Sequence, residues 1–205
     1  MAITFPRTLP AAPGIKSNTF ALVFNIDEFV SPISRQSTFD KRQGHRWEGL
    51  FVFPPMLEGT AREWKAWFAS MEGQTKTFFA FDPDIRTPLG IADTGSDTPL
   101  VKGASQTGTS VTTDAWRNSG TNLLSPGDHV QIGTELKIVT EQVDSDGAGN
   151  ATINFEPAFH VPPADNAAIV FENPKGIFRL DEPSVPWESD EFGVHNFSFA
   201  FVEDF

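Results

Sequence analysis

The sequence predicts a mainly β protein: a β platform carrying one packed helix, with a small β barrel inserted into it. Three observations carry this. The block from Arg46 to Gly90 reads as strand, double-proline break, short helix, strand and turn. Phe-rich segments with period-2 alternation lie near both ends of the chain. Between 91 and 171 the composition changes, and short apolar runs are separated by turn signals roughly every 8–12 residues, the rhythm of a small barrel or sandwich.

Along the chain, Phe20, Leu22, Phe24 and Ile26 alternate with Ala21, Val23 and Asn25 and predict one strand over 20–26. Residues 34–45 read as a polar, basic connection carrying Arg35, Lys41 and Arg42. Trp47, Gly49, Phe51 and Phe53 then fall at two-residue spacing on one face of a strand that Pro54 and Pro55, lacking amide donors, bring to an end. Ala61, Trp64, Trp67, Phe68 and Met71 recur at helical spacing, while Arg62, Glu63, Lys65 and Glu72 point elsewhere, predicting a helix near 59–71. Gly73 stands where a left-handed cap is needed. Phe78 to Phe81 resume extended structure, and Asp82-Pro83-Asp84 turns the chain.

From Ile91 to Thr113, 12 of 23 residues are Gly, Ser or Thr, yet Leu100-Val101 and Val111 interrupt them, so short strands are expected rather than a floppy linker. Further short strands are expected around Val130–Ile132, Leu136–Thr140, Ala151–Phe155, Ile169–Phe171 and Ile177–Leu180, with turns at Ser125–Asp128, Gly133-Thr134 and Asp144–Asn150. Phe197, Phe199 and Phe201 alternate with Ser198, Ala200 and Val202 and predict a final strand pairing with the N-terminal ones, since an isolated strand cannot bury a Phe face. The division is then 1–90 with 172–205 for the platform and 91–171 for the inserted barrel. Trp47, Trp64, Trp67 and Phe68 are its expected core anchors.

Composition narrows the function. The 205 residues include no cysteine, which excludes a disulfide framework and thiolate chemistry. Twenty Phe, five Trp and no Tyr point to dry cores and dry interfaces. No apolar run approaches the ~20 residues of a membrane span, and MAITFPRTLP lacks the pattern of a secretory signal, so synthesis in a cytoplasm is expected. The net charge of −12 argues against phosphate-driven nucleic-acid binding and is unevenly spread. Residues 1–90 carry 10 basic and 9 acidic side chains, 91–171 carry 3 and 10, and 172–205 carry 2 and 8.

Candidate chemistry is sparse. Asp144 to Asn150 has the look of a calcium loop, but position twelve would be Phe155 rather than a bidentate Glu, so a plain turn is the simpler reading. His45, His129, His160 and His195 share no metal-ligand spacing and read as loop or strand-edge residues. No nucleophile elbow or phosphate loop occurs, and the carboxylate pairs Asp82/Asp84 and Asp190/Glu191 sit in polar turns. Neither an enzyme nor a metal or small-molecule cofactor is expected. Trp116 and Trp187 lie in polar contexts, where each ring is either an exposed binding or interface anchor or an ordinary structural side chain.

The run His45-Arg46-Trp47-Glu48, Phe53-Pro54-Pro55-Met56, Glu63-Trp64 to Phe78, and Asp82-Pro83-Asp84 to Thr87-Pro88-Leu89-Gly90 resembles the distal tail proteins of long-tailed bacteriophages, in the branch found in phages and gene-transfer agents of Gram-negative bacteria. Val101 to Gly108, Pro126-Gly127-Asp128 with Ile132-Gly133, Asp144 to Glu156, and Asn173 to Leu180 resemble the barrel module such proteins carry. The likeness spans roughly residues 40–200. It implies a tail-tube-like β sandwich with a helix, an OB-like barrel, and a six-fold ring between the tail tube and the tail-tip hub. Tape-measure protein and tail fibres are implied as further partners, no membrane is involved, and DNA passes only in transit. The implied location is the virion.

Two function classes stay open: a structural ring component, or an adaptor whose 91–171 barrel recognises host-surface glycan or fibres. In a head-to-tail ring, the basic set Arg35, Lys41, Arg42 and Arg46 could meet the acidic set Asp181, Glu182, Glu188, Asp190 and Glu191 of a neighbour. The alternatives are solvated loops, or an acidic surface lining a lumen through which DNA passes without sticking.

Overall fold

Strand pairing sorts the chain into two main sheets and a separate two-stranded hairpin. The computed structural model describes residues 3–205. In chain order the elements begin with β1 (Ser17–Val23), β2 (Ile26–Val30), β3 (Ser37–Lys41), β4 (Arg46–Val52), β5 (Met56–Leu57), α1 (Glu58–Met71) and β6 (Thr77–Ala80). Next come β7 (Leu100–Val101), β8 (Ser110–Asp114), β9 (His129–Ile132), β10 (Glu135–Val139), β11 (Ala151–Glu156) and β12 (Ile169–Val170). The chain closes with β13 (Gly176–Leu180), β14 (Trp187–Ser189) and β15 (Val194–Glu203). The protein is mainly β with one helix among the described residues, and it includes a nearly closed, barrel-like sheet.

The first sheet runs β1-β4-β15-β13-β6, with β5 and β14 also paired to β15, and all these named strand pairs are antiparallel. Trp47, Phe51 and Phe53 of the β4 segment and Phe197, Phe199 and Phe201 of β15 send their rings to one side. There α1 lays its stripe of Ala61, Trp64, Trp67, Phe68 and Met71. The rings mesh closely: Phe53 lies 4.3 Å from Trp64 and Phe51 lies 4.5 Å from Phe201, centroid to centroid. The two buried indoles reach out of this apolar layer, donating from Nε1 of Trp64 to the Ala12 carbonyl at 2.8 Å and from Nε1 of Trp67 to the Thr8 carbonyl at 2.9 Å. The N-terminal segment is thereby pinned along the helix, because a buried indole N–H needs an acceptor.

Gly49 faces Phe201 across the β4–β15 ladder. A Cβ there would stand 2.3 Å from Cζ of Phe201, so a glycine is required for space rather than for backbone conformation. The helix ends one residue earlier than its glycine suggests: Glu72 takes the left-handed cap position (φ 50°) and Gly73 follows it, also left-handed.

The second sheet runs β12-β9-β10-β11-β8-β7, and a bridge from Leu100 to Ala168 brings its two ends together. Its core includes Val101, Leu123, Leu124, Val130, Ile153 and Phe155. The Asp144–Asn150 segment is a tight turn in which Asp146 accepts the backbone amides of Ala148 and Asn150 at 2.8 Å each.

Three local expectations are corrected. The strand expected over 20–26 breaks after Val23, because Asn25 binds Arg42 and Gln43 across the base of a hairpin instead of continuing the ladder. The expected connection over 34–45 is partly strand β3, the second leg of that hairpin. Residues 177–180, which the strand rhythm counted with the barrel although the division put 172–205 in the platform, join the first sheet between β6 and β15. The final strand, in turn, contacts the N-terminal region through β4, which separates it from β1.

Candidate functional site

The β2–β3 hairpin leaves the first sheet at Phe24 and projects as an arm. Every residue of both strands is exposed, because a two-stranded ribbon with nothing packed on it has no inner face. The arm nonetheless presents large apolar side chains: Ile33 at its tip is 95% exposed, Phe29 68% and Phe39 66%. An isolated two-stranded hairpin is marginal in water, and a projecting apolar one is the geometry of a docking element. Arg35, next to the tip, holds a left-handed backbone (φ 56°) and donates its amide to the Ser31 carbonyl at 2.9 Å.

The basic set therefore divides. Lys41 pairs with Glu156 of β11 at 3.4 Å, Arg42 with Asp27 across the hairpin, and Arg46 with Glu48 at 2.8 Å. Among the described residues Arg35 is the one of the four that makes no ion pair. The acidic set lies on the opposite flank of the chain order, around β14. Asp181 donates its amide to Ala200, and its carbonyl accepts from Gln74. Asp190 uses one carboxylate oxygen to accept the amides of Phe192 (2.9 Å) and Val194 (2.8 Å), shaping the turn into β15. Glu182, Glu188 and Glu191 are exposed. No ion pair among the described residues joins the basic set to the acidic one, so within one chain the two surfaces stay apart.

Beside this acidic flank lies a second apolar patch. Phe192 is 80% exposed, Leu57 is exposed opposite Val194, and Trp187 is half-exposed with Lys65 Nζ 5.3 Å over its ring. Trp116, by contrast, is 4% exposed, stacks on Phe171 at 5.9 Å, and donates from Nε1 to the Thr113 hydroxyl at 2.8 Å. It belongs to the barrel core and offers no peripheral binding ring. Trp47, Trp64, Trp67 and Phe68 are all buried in the first core.

Where the two sheets meet, the structure assembles a polar cluster that no sequence spacing announces. Trp47 of β4 donates from Nε1 to the Leu136 carbonyl of β10 at 2.8 Å, and its amide donates to Glu203 of β15 at 3.0 Å. Lys137 of β10 is fully buried, bound to Glu135 at 2.5 Å and to the Ala158 carbonyl at 3.0 Å, with the Phe155 and Phe159 rings beside it. Glu135 in turn accepts the amides of His160 and Val161. His160 stacks on Phe205 and lies 5.2 Å from His45, while His129 meets the Trp47 ring edge-on at 5.3 Å. His45 lies in the loop before β4, His129 and His195 at the starts of β9 and β15, and all three are buried.

Burial pushes the Glu203 carboxyl up to about 7, against bonds from the Trp47 and Leu136 amides and the attraction of Lys137. Burial likewise lowers His129 and His160, with Asp82 and Asp128 opposing it at the first and Glu135 at the second. Among the described residues no three His, Asp or Glu side chains are placed to hold a metal ion. A cavity of about 270 Å³ beneath the N-terminal segment, lined by Pro13, Phe53, Trp64, Phe81, Arg86 and Lys175, contains no acid–base or nucleophile pair. Neither protein-family models nor curated proteins give a match to this chain.

Proposed function

We propose that this chain is a structural protein of a phage tail tip, whose copies form a head-to-tail ring joining the tail tube to the tail-tip hub. The observation that carries the reading is the projecting arm: both strands, Ile26–Val30 and Ser37–Lys41, are exposed throughout, and with the tip they present Phe29, Ile33 and Phe39 to solvent. Such an arm is stabilised when a neighbour covers it, and a chain with an arm on one part and a separate apolar, acidic flank on another suits closed heterologous assembly. On this reading the first sheet with α1 is the tail-tube-like sandwich, the second sheet is the OB-like module, and the chain works as a non-enzymatic virion component made in the host cytoplasm. Its partners are further copies of itself, the tube and hub proteins, tape-measure protein and fibres, and the likeness of residues 40–200 to distal tail proteins supports the same assignment.

Arg35, unpaired beside the tip, is the basic residue best available to a neighbour's acidic flank; Lys41, Arg42 and Arg46 already have acidic partners within the chain. The glycan-adaptor reading has less support, since Trp116 is spent on the barrel core. The test is Ile33→Asp in the full chain. Because Ile33 packs on nothing, the monomer's stability should change by less than about 0.5 kcal/mol, whereas assembly measured by light scattering should be lost. Assembly that survives this charge at the tip would refute the arm as the docking element.

A further inference from the structure

The junction between the two sheets concentrates buried polar atoms that have no partner. Both ring nitrogens of His45, Nδ1 of His129, Nε2 of His160, Oε1 of Glu203 and Oε2 of Glu156 are all buried without a hydrogen bond. Only one other side-chain atom in the described residues shares that condition, Nδ1 of His195. Native proteins rarely leave such groups unpaired, and a cluster of them at one place calls for a reason. The place is also mechanically special. One side of the contact is Trp47 and Glu203 of the first sheet; the other is Leu136 and Lys137 of the second, with Leu136 inserted into the first sheet's core beside Gly176.

We propose that this junction is a proton-sensitive joint, in which the barrel-like sheet is held against the first sheet near neutral pH and loosens from it in acid as the junction histidines take up protons. The charged surroundings decide the direction. His160 faces Glu135, Lys137 and His45; His129 faces Asp82 and Asp128; and Glu203 faces Lys137 and Glu135, with the Lys41–Glu156 and Arg179–Asp204 pairs flanking the site. A proton on His160 places a buried cation beside Lys137 and five ångströms from a second imidazole, with Glu135 and the His45 backbone opposing that cost only in part. Loosening would give each imidazole water in place of that environment.

The signs oppose one another. His129 and His160 sit below the ordinary 6.5, so their contribution to docking is complete above that value and lost as pH falls. Glu203 sits at about 7 rather than 4.5, so its contribution is complete in acid and lost as pH rises through 7. In acid, where Glu203 is already protonated in the docked state, the two imidazoles outweigh the one carboxyl. The docked state then binds fewer protons than the loosened one, so the docking constant falls as the pH falls.

The experiment is a pH titration of the full ¹⁵N-labelled chain by NMR, from about pH 8 to about pH 5, with the indole signals as reporters. The Trp47 indole, bound to the Leu136 carbonyl, and the Leu136 amide, bound to Glu203, should move to solvent-exposed positions in acid. The Trp64 and Trp67 indoles, bound within the first module to Ala12 and Thr8, and that of Trp116 within the second should not move. A Trp47 signal that stays fixed throughout, or that moves only together with the other indoles, overturns the joint. His129→Gln with His160→Gln should remove the acid transition, and its persistence unchanged would also overturn it. Should that double variant not fold, Glu203→Gln decides instead. With the opposing carboxyl gone, the acid transition should steepen, and an unchanged slope refutes the proposal.

Discussion

Gly49→Ala isolates the packing claim on which the first core rests. The added methyl would stand 2.3 Å from Cζ and 2.6 Å from Cε2 of Phe201, where ordinary contact begins near 3.4 Å, so the ring must retreat by about 1 Å. It has nowhere to go: Phe51, Phe178 and Phe20 lie 4.5, 5.2 and 5.6 Å away, and Phe201 is fully buried. Overpacking of this kind costs about 1–3 kcal/mol, and the crowding puts this site at the top of that range, offset by the few tenths that alanine gains over glycine in a strand. The melting temperature should fall by about 5–10 °C for a chain of this length. Urea unfolding followed by far-UV circular dichroism should show a lower midpoint with an unchanged slope. Adding Phe201→Leu should recover about 1 kcal/mol relative to the sum of the single changes, because the two residues share the same space. A Gly49→Ala protein as stable as the parent would refute the face-to-face placement of Gly49 and Phe201.

Two further outcomes concern the barrel-like sheet. Trp116→Ala should destabilise it by about 3–5 kcal/mol, seen as early unfolding of the 100–170 amides by hydrogen exchange, while assembly of the folded protein is unaffected. Asp97, buried and pushed up by that burial, is held below its ordinary 3.8 by Arg117 and the amides of Asp93 and Arg117. Its stabilising contribution is therefore present above about pH 4 and lost as pH falls further; Asp97→Asn should lower stability at neutral pH and flatten the acid limb of the stability curve.

The parts of the fold that were legible in the sequence are those where one face of an element is buried. Trp47, Gly49, Phe51 and Phe53 keep period 2, and Ala61, Trp64, Trp67, Phe68 and Met71 keep helical spacing, because a dry core on one side imposes that rhythm. The arm breaks the logic. Alternation from Phe20 through Ile26 runs straight past the point where the chain leaves the sheet, and beyond it neither face is buried, so no pattern marks β2 and β3 as strands. Trp116 sits among polar neighbours in sequence, and only the long-range approach of Phe171 makes its site apolar. The junction histidines are equally silent: His45, His129 and His160 come from separate segments and meet only because β4, β9 and the turn after β11 converge. The acidic side chains Asp181, Glu182, Glu188, Asp190 and Glu191 are exposed, and the intrachain pairs at Lys41, Arg42 and Arg46 depend on geometry that composition does not contain.

Native mass measurement of the purified chain at high protein concentration and low salt tests the ring most directly. The proposal predicts a closed oligomer, with six copies of 22.5 kDa giving about 135 kDa, that falls back to single chains when Ile33 is replaced by Asp. A parent protein that remains a 22.5 kDa monomer under those conditions would contradict it.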